Sequence, residues 1–401
     1  MATARYKNSF MDVREYKKAL DDCANLSVII QLTDKCVLSC KYCFARGAHH
    51  GDNPRFPDDL LEKVIAEAFE THHQSVTFEW TGGEAFLMGV DFYRKVKSAQ
   101  RKYATKSFTN CIQTSGYLFD KELIDFLISE DFCISLTIDG PQEIHNANRP
   151  AQNGKGSFLQ VMETHRYITE KVGECGFIST ITRNNLGHEK EMLDFFNGLG
   201  VYSFHSNPYI YFDKNIVKDK EIALDNNDYA RYFISQFNAW YENGKLEPIP
   251  HTIDYFATGL ASKQAPNRTL CSFGGRCLSN FITIIPNGDC YNCPKFTGHS
   301  NMRLGNLYEN TITEILDADQ NPIMKDLLEQ RVKILNKCLD NSCRFAFLCN
   351  GGCPYLSYIA SRGKNISEKD CTCEGKTMVM EYIESVRNAL ILEEISHQSA
   401  L

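Results

Sequence analysis

The stretch TDKCVLSCKYCF, at residues 33–44, decides how this chain is interpreted. Its three cysteines, Cys36, Cys40 and Cys43, follow directly on the apolar run 27–32. A four-iron cluster needs one thiolate for each iron, so a short loop that offers three thiolates leaves one iron open to a substrate or a cofactor. Zinc sites and buried thiols also use short cysteine spacings, and both alternatives stay open until the remaining cysteines are considered.

The composition is that of an ordinary globular protein with an excess of cysteine. The chain has 401 residues, 43% hydrophobic and 23% charged, with a formal net charge of −7. It has no basic cluster, which argues against nucleic-acid binding, since neutralising phosphates requires clustered Lys and Arg. No uncharged apolar run approaches the roughly 18 residues of a membrane helix, so we expect a cytoplasmic protein without membrane contact. Because the cytoplasm keeps thiols reduced, the 17 cysteines indicate metal binding rather than disulfides.

Strand-like runs alternate with helical patterns through the first half of the chain. Runs rich in Val, Ile, Phe and Thr predict strands at 27–32, 75–80, 107–114, 132–138, 176–181 and 201–206. Apolar residues at helical spacing predict helices at 57–71, 90–103, 120–129, 158–171 and 188–199. Six such β-then-α units predict an α/β fold, a parallel sheet curled into a partial or full barrel, with chemistry at the carboxyl ends of the strands.

The chain divides into five predicted segments. They are an N-terminal segment (1–25), the β/α core (26–212), a helical linker (213–269), a cysteine-rich domain (270–376), and a C-terminal helix and tail (377–401). The linker carries an aromatic stripe that most simply forms the face of a helix packed on the barrel, namely Tyr229, Tyr232, Phe233, Phe237 and Trp240. The amphipathic segment 376–394 predicts a final helix that packs back on the body.

Small polar groups follow several predicted strands. Gly82 to Glu84 comes after the second strand, where two glycines allow backbone to approach a ligand and an acid can pair with an ammonium group. Thr137 and Asp139 to Pro141 end the fourth strand, and Arg149 follows a short loop later. Each of these is an ordinary turn or surface residue when taken alone, but together they deliver polar groups to one rim of the sheet.

Ten further cysteines lie in the last third of the chain. They are Cys271, Cys277, Cys290, Cys293, Cys338, Cys343, Cys349, Cys353, Cys371 and Cys373. Ten thiolates suffice for two four-cysteine clusters with two to spare, and zinc ribbons are the metal alternative. Between them, 281–285 and Pro286-Asn287-Gly288 predict a strand and a hairpin turn. The other cysteines fall in predicted strands or helices and are most simply core residues: Cys23, Cys111, Cys133 and Cys175.

Taken together, these residues resemble the radical S-adenosylmethionine (radical SAM) enzymes, and among them the subgroup with a cysteine-rich SPASM extension. The resemblance runs from about residue 27 to about 376 and rests on C-x3-C-x2-C with an aromatic residue, Tyr42, before its last cysteine. It implies a partial (β/α)6 barrel and three 4Fe-4S clusters, the first held by Cys36, Cys40 and Cys43 with an open iron for S-adenosyl-L-methionine. It also implies cleavage of that cofactor to a 5'-deoxyadenosyl radical, which abstracts hydrogen from the substrate.

The resemblance assigns five residues to the S-adenosylmethionine site. Gly82, Gly83 and Glu84 match a glycine-glycine-glutamate motif that holds the methionine ammonium group. Thr137 belongs, with Asp139 to Pro141, to a strand-four motif. Arg149 matches an arginine that meets the cofactor carboxylate.

The same resemblance divides the later cysteines between two auxiliary clusters. The first would use Cys271, Cys277, Cys293 and Cys353, and Gly288 with Cys293 matches the family's G-x4-C. The second would use Cys338, Cys343, Cys349 and either Cys371 or Cys373, which spacing does not separate. Cys290 is expected to be a spectator.

The substrate stays open at this point. Sulfatase-maturating members oxidise a Cys or Ser to formylglycine and carry an aspartate after the cysteine that corresponds to Cys293. This chain has Pro294 there, without the expected general base, so no catalytic residue is assigned. We expect oxidation or crosslinking of a side chain in a peptide or protein, and we expect no N-terminal leader-recognition domain.

Three alternatives to that expectation remain. They are sulfatase maturation, a radical dehydrogenase or epimerase of a small molecule, and a non-catalytic iron-sulfur or zinc scaffold. The expected partners of an enzyme are the peptide or protein substrate and an electron donor such as flavodoxin or ferredoxin.

Overall fold

The computed structural model of the protein describes residues 12–21, 24–44, 55–210, 220–244, 247–266, 271, 273 and 277–399. The predicted core residue Cys23 lies outside the described residues.

One sheet of ten strands runs through the described residues. The strands are β1 (Asn25–Gln31), β2 (Ser75–Thr81), β3 (Ser107–Thr114), β4 (Phe132–Thr137), β5 (Gly176–Ile181), β6 (Ser203–Pro208), β7 (Ile249–Pro250), β8 (Phe281–Ile284), β9 (Asp289–Tyr291) and β10 (Arg303–Asn306). Their spatial order is β10-β9-β8-β1-β2-β3-β4-β5-β6-β7. Strands β1 to β6 pair in parallel in sequence order, which confirms the predicted α/β core.

Fourteen α-helices accompany the sheet in the part of the chain that the structure describes. They are α1 (Val13–Asp21), α2 (Asp58–Glu70), α3 (Val90–Tyr103), α4 (Lys121–Ser129), α5 (Gln142–Asn148), α6 (Phe158–Val172), α7 (Glu189–Gly198), α8 (Asn226–Glu242), α9 (His251–Ser262), α10 (Ile312–Leu316), α11 (Pro322–Asp340), α12 (Ala346–Cys349), α13 (Pro354–Ala360) and α14 (Cys373–Ser399). Helix α14 begins three residues before the predicted start at 376. Among these described helices, none is long and apolar enough to cross a membrane.

Alternation along the strands separates an apolar face from a polar face. In β2, Phe78 and Trp80 are buried toward the helices, where Phe78 meets Phe69 of α2 with ring centroids 5.6 Å apart and Trp80 meets Tyr93 of α3 at 6.4 Å. Burying rings of this size is the main stabilisation of the barrel wall. The opposite face, called here the polar face, carries Thr77, Glu79, Cys111, Gln113, Thr137, Thr180, His205 and Asn207.

The aromatic stripe of the linker packs as expected. Its five rings lie on α8 and are buried, and Tyr229 and Phe233 have centroids 4.6 Å apart. Helix α14 packs against α8, where the hydroxyl of Tyr382 donates to Asn238 Oδ1 at 2.9 Å. The stripe is therefore part of the core.

The C-terminal hairpin extends the barrel sheet, a connection that the sequence analysis does not predict. Strand β8 pairs in parallel with β1, from Ser27 opposite Phe281 to Ile30 opposite Ile284. The predicted turn is present, with Gly288 at a positive φ of 85° and its N–H donating to the Ile285 carbonyl at 2.9 Å. The cysteine-rich domain is thus continuous with the edge of the barrel.

Candidate cofactor and cluster sites

The cysteine loop of residues 33–44 follows the carboxyl end of β1 and is anchored to the segment after α5. Ser39 N donates to the Pro150 carbonyl at 2.7 Å, and Lys41 N donates to the Asn148 carbonyl at 2.9 Å. Cys40 is buried, Cys36 is half-buried and Cys43 is exposed. The loop therefore presents thiols from a fixed backbone near Arg149.

Two glycines hold the other side of this loop. Gly83 N donates to the Thr33 carbonyl at 2.6 Å. A Cβ on Gly82 would lie 2.6 Å from the Thr33 carbonyl oxygen, and a Cβ on Gly83 would lie 2.1 Å from the Lys35 carbonyl oxygen. The sequence analysis attributes these glycines to close approach of a ligand, but in the structure the close approach is to the backbone of the cysteine loop.

Glu84 faces the end of β3. Its Oε1 accepts from Thr114 Oγ1 at 2.6 Å and from Phe86 N at 3.0 Å, and its Oε2 accepts from the backbone N and the hydroxyl of Ser115. The carboxylate is 1% exposed. The protein thus supplies four donors to Glu84, and its predicted contact with a ligand ammonium group stays a prediction.

Arg149 stands in a buried polar network beside the cysteine loop. Its Nη1 donates to the Tyr42 hydroxyl at 2.7 Å, which in turn donates to Asp139 Oδ1 at 3.1 Å. Asp139 Oδ1 also accepts from Thr180 N at 2.9 Å. Burial raises the pKa of Asp139 to about 6, although Arg149 lowers it.

The Arg149 guanidinium keeps donor capacity for a ligand. Its Nε is buried and has no hydrogen-bond partner within the described chain. A guanidinium with an unused buried donor fits a carboxylate, which arginine binds with two parallel hydrogen bonds. These residues therefore fit the carboxylate of S-adenosylmethionine. Thr137, the remaining predicted contact, lies on the polar face and accepts from Gln113 Nε2 at 2.9 Å.

The cysteine loop is better suited to binding a metal cluster than to carrying three free thiols. Burial raises the pKa of Cys40 to about 12, and burial also raises that of Cys36. The charge of Arg149 lowers both pKa values, whereas the carboxylates of Glu84, for Cys36, and Asp139, for Cys40, raise them. Leu38 N points at Cys36 Sγ at 3.5 Å, as a donor to a cluster sulfur would.

The four cysteines predicted for the first auxiliary cluster lie near one another. Burial, together with the neighbouring thiols of Cys353 and Cys271, raises the pKa of Cys277 to about 12. Cys293 also interacts with Cys271 and Cys353. Burial lowers the pKa of Lys295, but the same thiols raise it by more, so a cation stands beside this set.

Four cysteines predicted for the second auxiliary cluster line one small, partly open cavity. They are Cys338, Cys343, Cys349 and Cys373. Cys371 is absent from this lining, and its carbonyl accepts from Asn226 Nδ2 at 3.0 Å. Where the structure is described, no three His, Cys, Asp or Glu side chains converge closely enough for a single metal ion. Thiols that line a cavity fit a cluster, and the geometry favours Cys373 over Cys371 as the fourth ligand.

Three cations that the sequence analysis does not predict lie near these cysteines, and two of them, Arg331 and Lys376, are buried. Lys376 and Asp370 form an ion pair at 2.6 Å with side chains only 1% and 2% exposed. Arg331 is 0% exposed and Lys295 borders the first set of thiols. For Arg331 the sequence does hold a signal, because it occupies the apolar face of α11, three and four positions after the buried residues 328 and 327.

The remaining cysteines differ in their surroundings. Cys290 is fully buried, and its thiol donates to the Gly288 carbonyl at 3.4 Å. Cys175 is also buried. The expectation that Cys133 is a core residue is wrong, because Cys133 is exposed on the polar face opposite Cys111, which is half-buried. Strand alternation turns both toward the open polar side of the sheet.

Comparisons with known proteins agree with this architecture. Residues 30–196 match the Radical SAM superfamily, and residues 271–344 match SPASM, an iron-sulfur cluster-binding domain. The serine-type anaerobic sulfatase-maturating enzyme of Bacteroides thetaiotaomicron is 27% identical over 341 residues, covering 80% of this chain and 80% of that protein. The cysteine-type enzyme of Clostridium perfringens (strain ATCC 13124) is 27% identical over 341 residues, covering 82% of this chain and 88% of that protein.

Solved structures share the fold. Native anSMEcpe with bound AdoMet has a TM-score of 0.78 at 23% identity, covering 91% of this chain and 100% of that chain. The same protein with bound AdoMet and Cp18Cys peptide has a TM-score of 0.76 at 24% identity, covering 91% and 99%. The protein is therefore a radical SAM enzyme with a C-terminal SPASM domain, homologous to the anaerobic sulfatase-maturating enzymes.

Proposed function

We propose that this enzyme oxidatively modifies a residue in a peptide or protein, using S-adenosylmethionine and three 4Fe-4S clusters. The observation that carries the proposal is the placement of the cysteine loop between Gly83 and the buried Arg149 network, at the carboxyl ends of the barrel strands. When bound there, the cluster and S-adenosylmethionine supply a 5'-deoxyadenosyl radical able to remove hydrogen from an unreactive C–H bond.

The protein's own residues position the reactants. Arg149 would hold the methionine carboxylate through its Nε, which has no partner among the described residues, and the Tyr42 hydroxyl fixes the guanidinium. Asp139 fixes Tyr42 and is itself held by Thr180 N. This series of hydrogen bonds matters because misplacing reacting atoms by about 1 Å can cost about 100-fold in rate.

The polar face is the surface on which we place an extended substrate. Its side chains point away from the helices, and Thr297 Oγ1 donates to Gln31 Oε1 at 3.1 Å, so the segment after Cys293 borders the same face. Support for a peptide also comes from anSMEcpe, whose structure is solved with a bound peptide.

The test uses the anaerobically reconstituted enzyme and a short peptide encoded beside its gene. We expect loss of two hydrogens from the peptide in step with 5'-deoxyadenosine formation. The C36A/C40A/C43A variant is the matched control, because it keeps the auxiliary cysteines. An unchanged peptide with only slow, uncoupled 5'-deoxyadenosine would remove the support for this substrate class.

Sulfatase maturation is the second candidate, favoured by the two sulfatase-maturating relatives. Pro294 argues against a carboxylate base directly after Cys293, and the next residue is the cation Lys295. A peptide that carries a sulfatase cysteine motif decides between the candidates. An aldehyde product at that cysteine would establish maturation, and oxidation of the neighbouring-gene peptide alone would exclude it.

Location and reductant complete the proposal. We place the enzyme in the cytoplasm, supported by the 16 described cysteines, all of which are unpaired. A flavodoxin or ferredoxin would deliver the electron. Activity that follows added flavodoxin in an anaerobic extract, and that falls when flavodoxin is depleted, is the expected result.

A further inference from the structure

Arg331 donates hydrogen bonds to the loop of residues 350–352, called here the connecting loop, which joins the two auxiliary cysteine sets. It lies in the middle of α11 and is 0% exposed. Its Nη1 donates to the Gly351 carbonyl at 3.0 Å, and its Nη2 donates to the Gly352 carbonyl at 2.6 Å and also to the Asn350 carbonyl. One guanidinium therefore satisfies three consecutive carbonyls.

The connecting loop has three successive residues with left-handed backbone. Asn350, Gly351 and Gly352 all have positive φ, at 48°, 75° and 79°. A Cβ on Gly351 would lie 3.2 Å from Arg331 Cζ, and one on Gly352 would lie 2.3 Å from Asp370 Oδ2. Left-handed backbone at three successive residues needs outside support, which Arg331 gives from one side and Asp370 from the other.

The loop joins the two candidate cluster sites directly. Cys349, which lines the cavity of the second set, precedes it, and Cys353, which belongs to the first set, follows it. Asp370 Oδ2 accepts from Cys353 N at 2.8 Å, so the end of the loop is fixed as well. The shape of this loop therefore sets the relative position of the two sites.

The charge of Arg331 has an uncommon set of neighbours. The Tyr16 hydroxyl and the thiols of Cys277 and Cys349, one from each set, lie within electrostatic reach of it, and among the described residues it forms no ion pair with a carboxylate. Lys376, in contrast, is paired with Asp370 at 2.6 Å. A buried cation without an anion is costly, and ligated cysteines of the two sets would provide the anions.

We propose that Arg331 is a positioning residue shared by both auxiliary clusters, which fixes the connecting loop and raises the reduction potentials of the two clusters together. The inference rests on the cluster assignment in the proposed function. A nearby positive charge stabilises the more negative, reduced state of a cluster, so removing that charge lowers the potential. Lys295, whose cysteine neighbours are Cys271, Cys293 and Cys353 of the first set, should act on the first cluster alone.

The experiment is an anaerobic redox titration followed by electron paramagnetic resonance. The C36A/C40A/C43A variant is the background, so that only auxiliary clusters contribute. Arg331→Gln removes the charge and keeps an amide donor, Arg331→Lys keeps the charge and loses the planar fork, and Lys295→Met is the comparison at one site. We expect R331Q to shift both potentials to more negative values, K295M to shift one, and R331K to leave both near their starting values.

Each result decides the matter. Unshifted potentials in a fully loaded R331Q protein, or equal shifts in R331Q and R331K, would overturn the role of the charge. If R331Q does not fold, Arg331→Met removes the charge in its place: unshifted potentials in that iron-loaded variant overturn the proposal, and a joint shift to more negative values supports it. The iron content of the C36A/C40A/C43A variant without a further substitution tests the cluster assignment separately, and that assignment predicts about eight irons per chain. A failed assignment is therefore distinguishable from a failed inference.

Discussion

A methyl group at Gly83 would have no room beside the cysteine loop. The Cβ of Gly83→Ala would stand 2.1 Å from the Lys35 carbonyl oxygen, and contacts under 3.0 Å essentially do not occur, so the two backbones must separate by nearly 1 Å. Lys35 directly precedes Cys36, and a displacement of that size at a reacting centre costs about 100-fold in rate. We therefore expect about a 100-fold slower cleavage of S-adenosylmethionine in G83A.

The assay is 5'-deoxyadenosine formation under anaerobic conditions, with iron content measured on the same sample. Gly198→Ala is the matched control, because its Cβ would meet nothing within 4 Å and its backbone is helical. Ala in place of Gly in a helix is neutral or stabilising by up to about 1 kcal/mol, so G198A should keep full activity. A G83A enzyme that cleaves the cofactor at the rate of G198A would refute the reasoning about this contact.

Three further predictions concern a buried ion pair, a buried histidine and the fourth ligand of the second auxiliary cluster. Asp370→Asn should destabilise the fold by roughly 3–5 kcal/mol in chemical denaturation, because it removes the carboxylate that neutralises the buried Lys376, and adding Lys376→Met should recover most of the loss; equal stability of D370N and the parent would contradict this. Burial lowers the pKa of His73 to about 4, so folding stability should fall by up to about 3 kcal/mol as the pH drops from 6.5 through 4. The His73→Gln variant should show a flatter dependence of stability on pH. The same dependence in the parent and the variant would count against this prediction. Cys373→Ala should lose about four irons while Cys371→Ala keeps them all, and the reverse pattern would reassign the fourth ligand.

The parallel core could be predicted from sequence because its signals are local. Strand β3 and helix α3 have the predicted bounds, since runs of β-branched and aromatic residues and a helical period depend on neighbours along the chain. Asp120 caps α4 as expected from its place before Leu123, with its side chain accepting from Leu123 N at 3.1 Å. The cysteine spacings likewise predict candidate cluster loops without the fold.

Other features depend on contacts between distant segments, which spacing does not encode. The pairing of β8 with β1 joins residues about 250 positions apart, and Tyr42 meets Asp139 and Arg149 only after the barrel has formed. Spacing also leaves Cys371 and Cys373 equivalent, whereas the cavity at the start of α14 separates them. The exposure of Cys133 was missed because a strand cysteine is buried or exposed according to the face it occupies.

Cofactor cleavage tests the central claim most directly. Reconstituted enzyme and the C36A/C40A/C43A variant are incubated anaerobically with S-adenosylmethionine and a reductant, and 5'-deoxyadenosine is measured together with iron. The account predicts about 12 irons and steady 5'-deoxyadenosine formation for the unsubstituted enzyme, and about eight irons with no 5'-deoxyadenosine for the variant. Cleavage that survives in the variant, or its absence from a fully iron-loaded unsubstituted enzyme, would contradict the account.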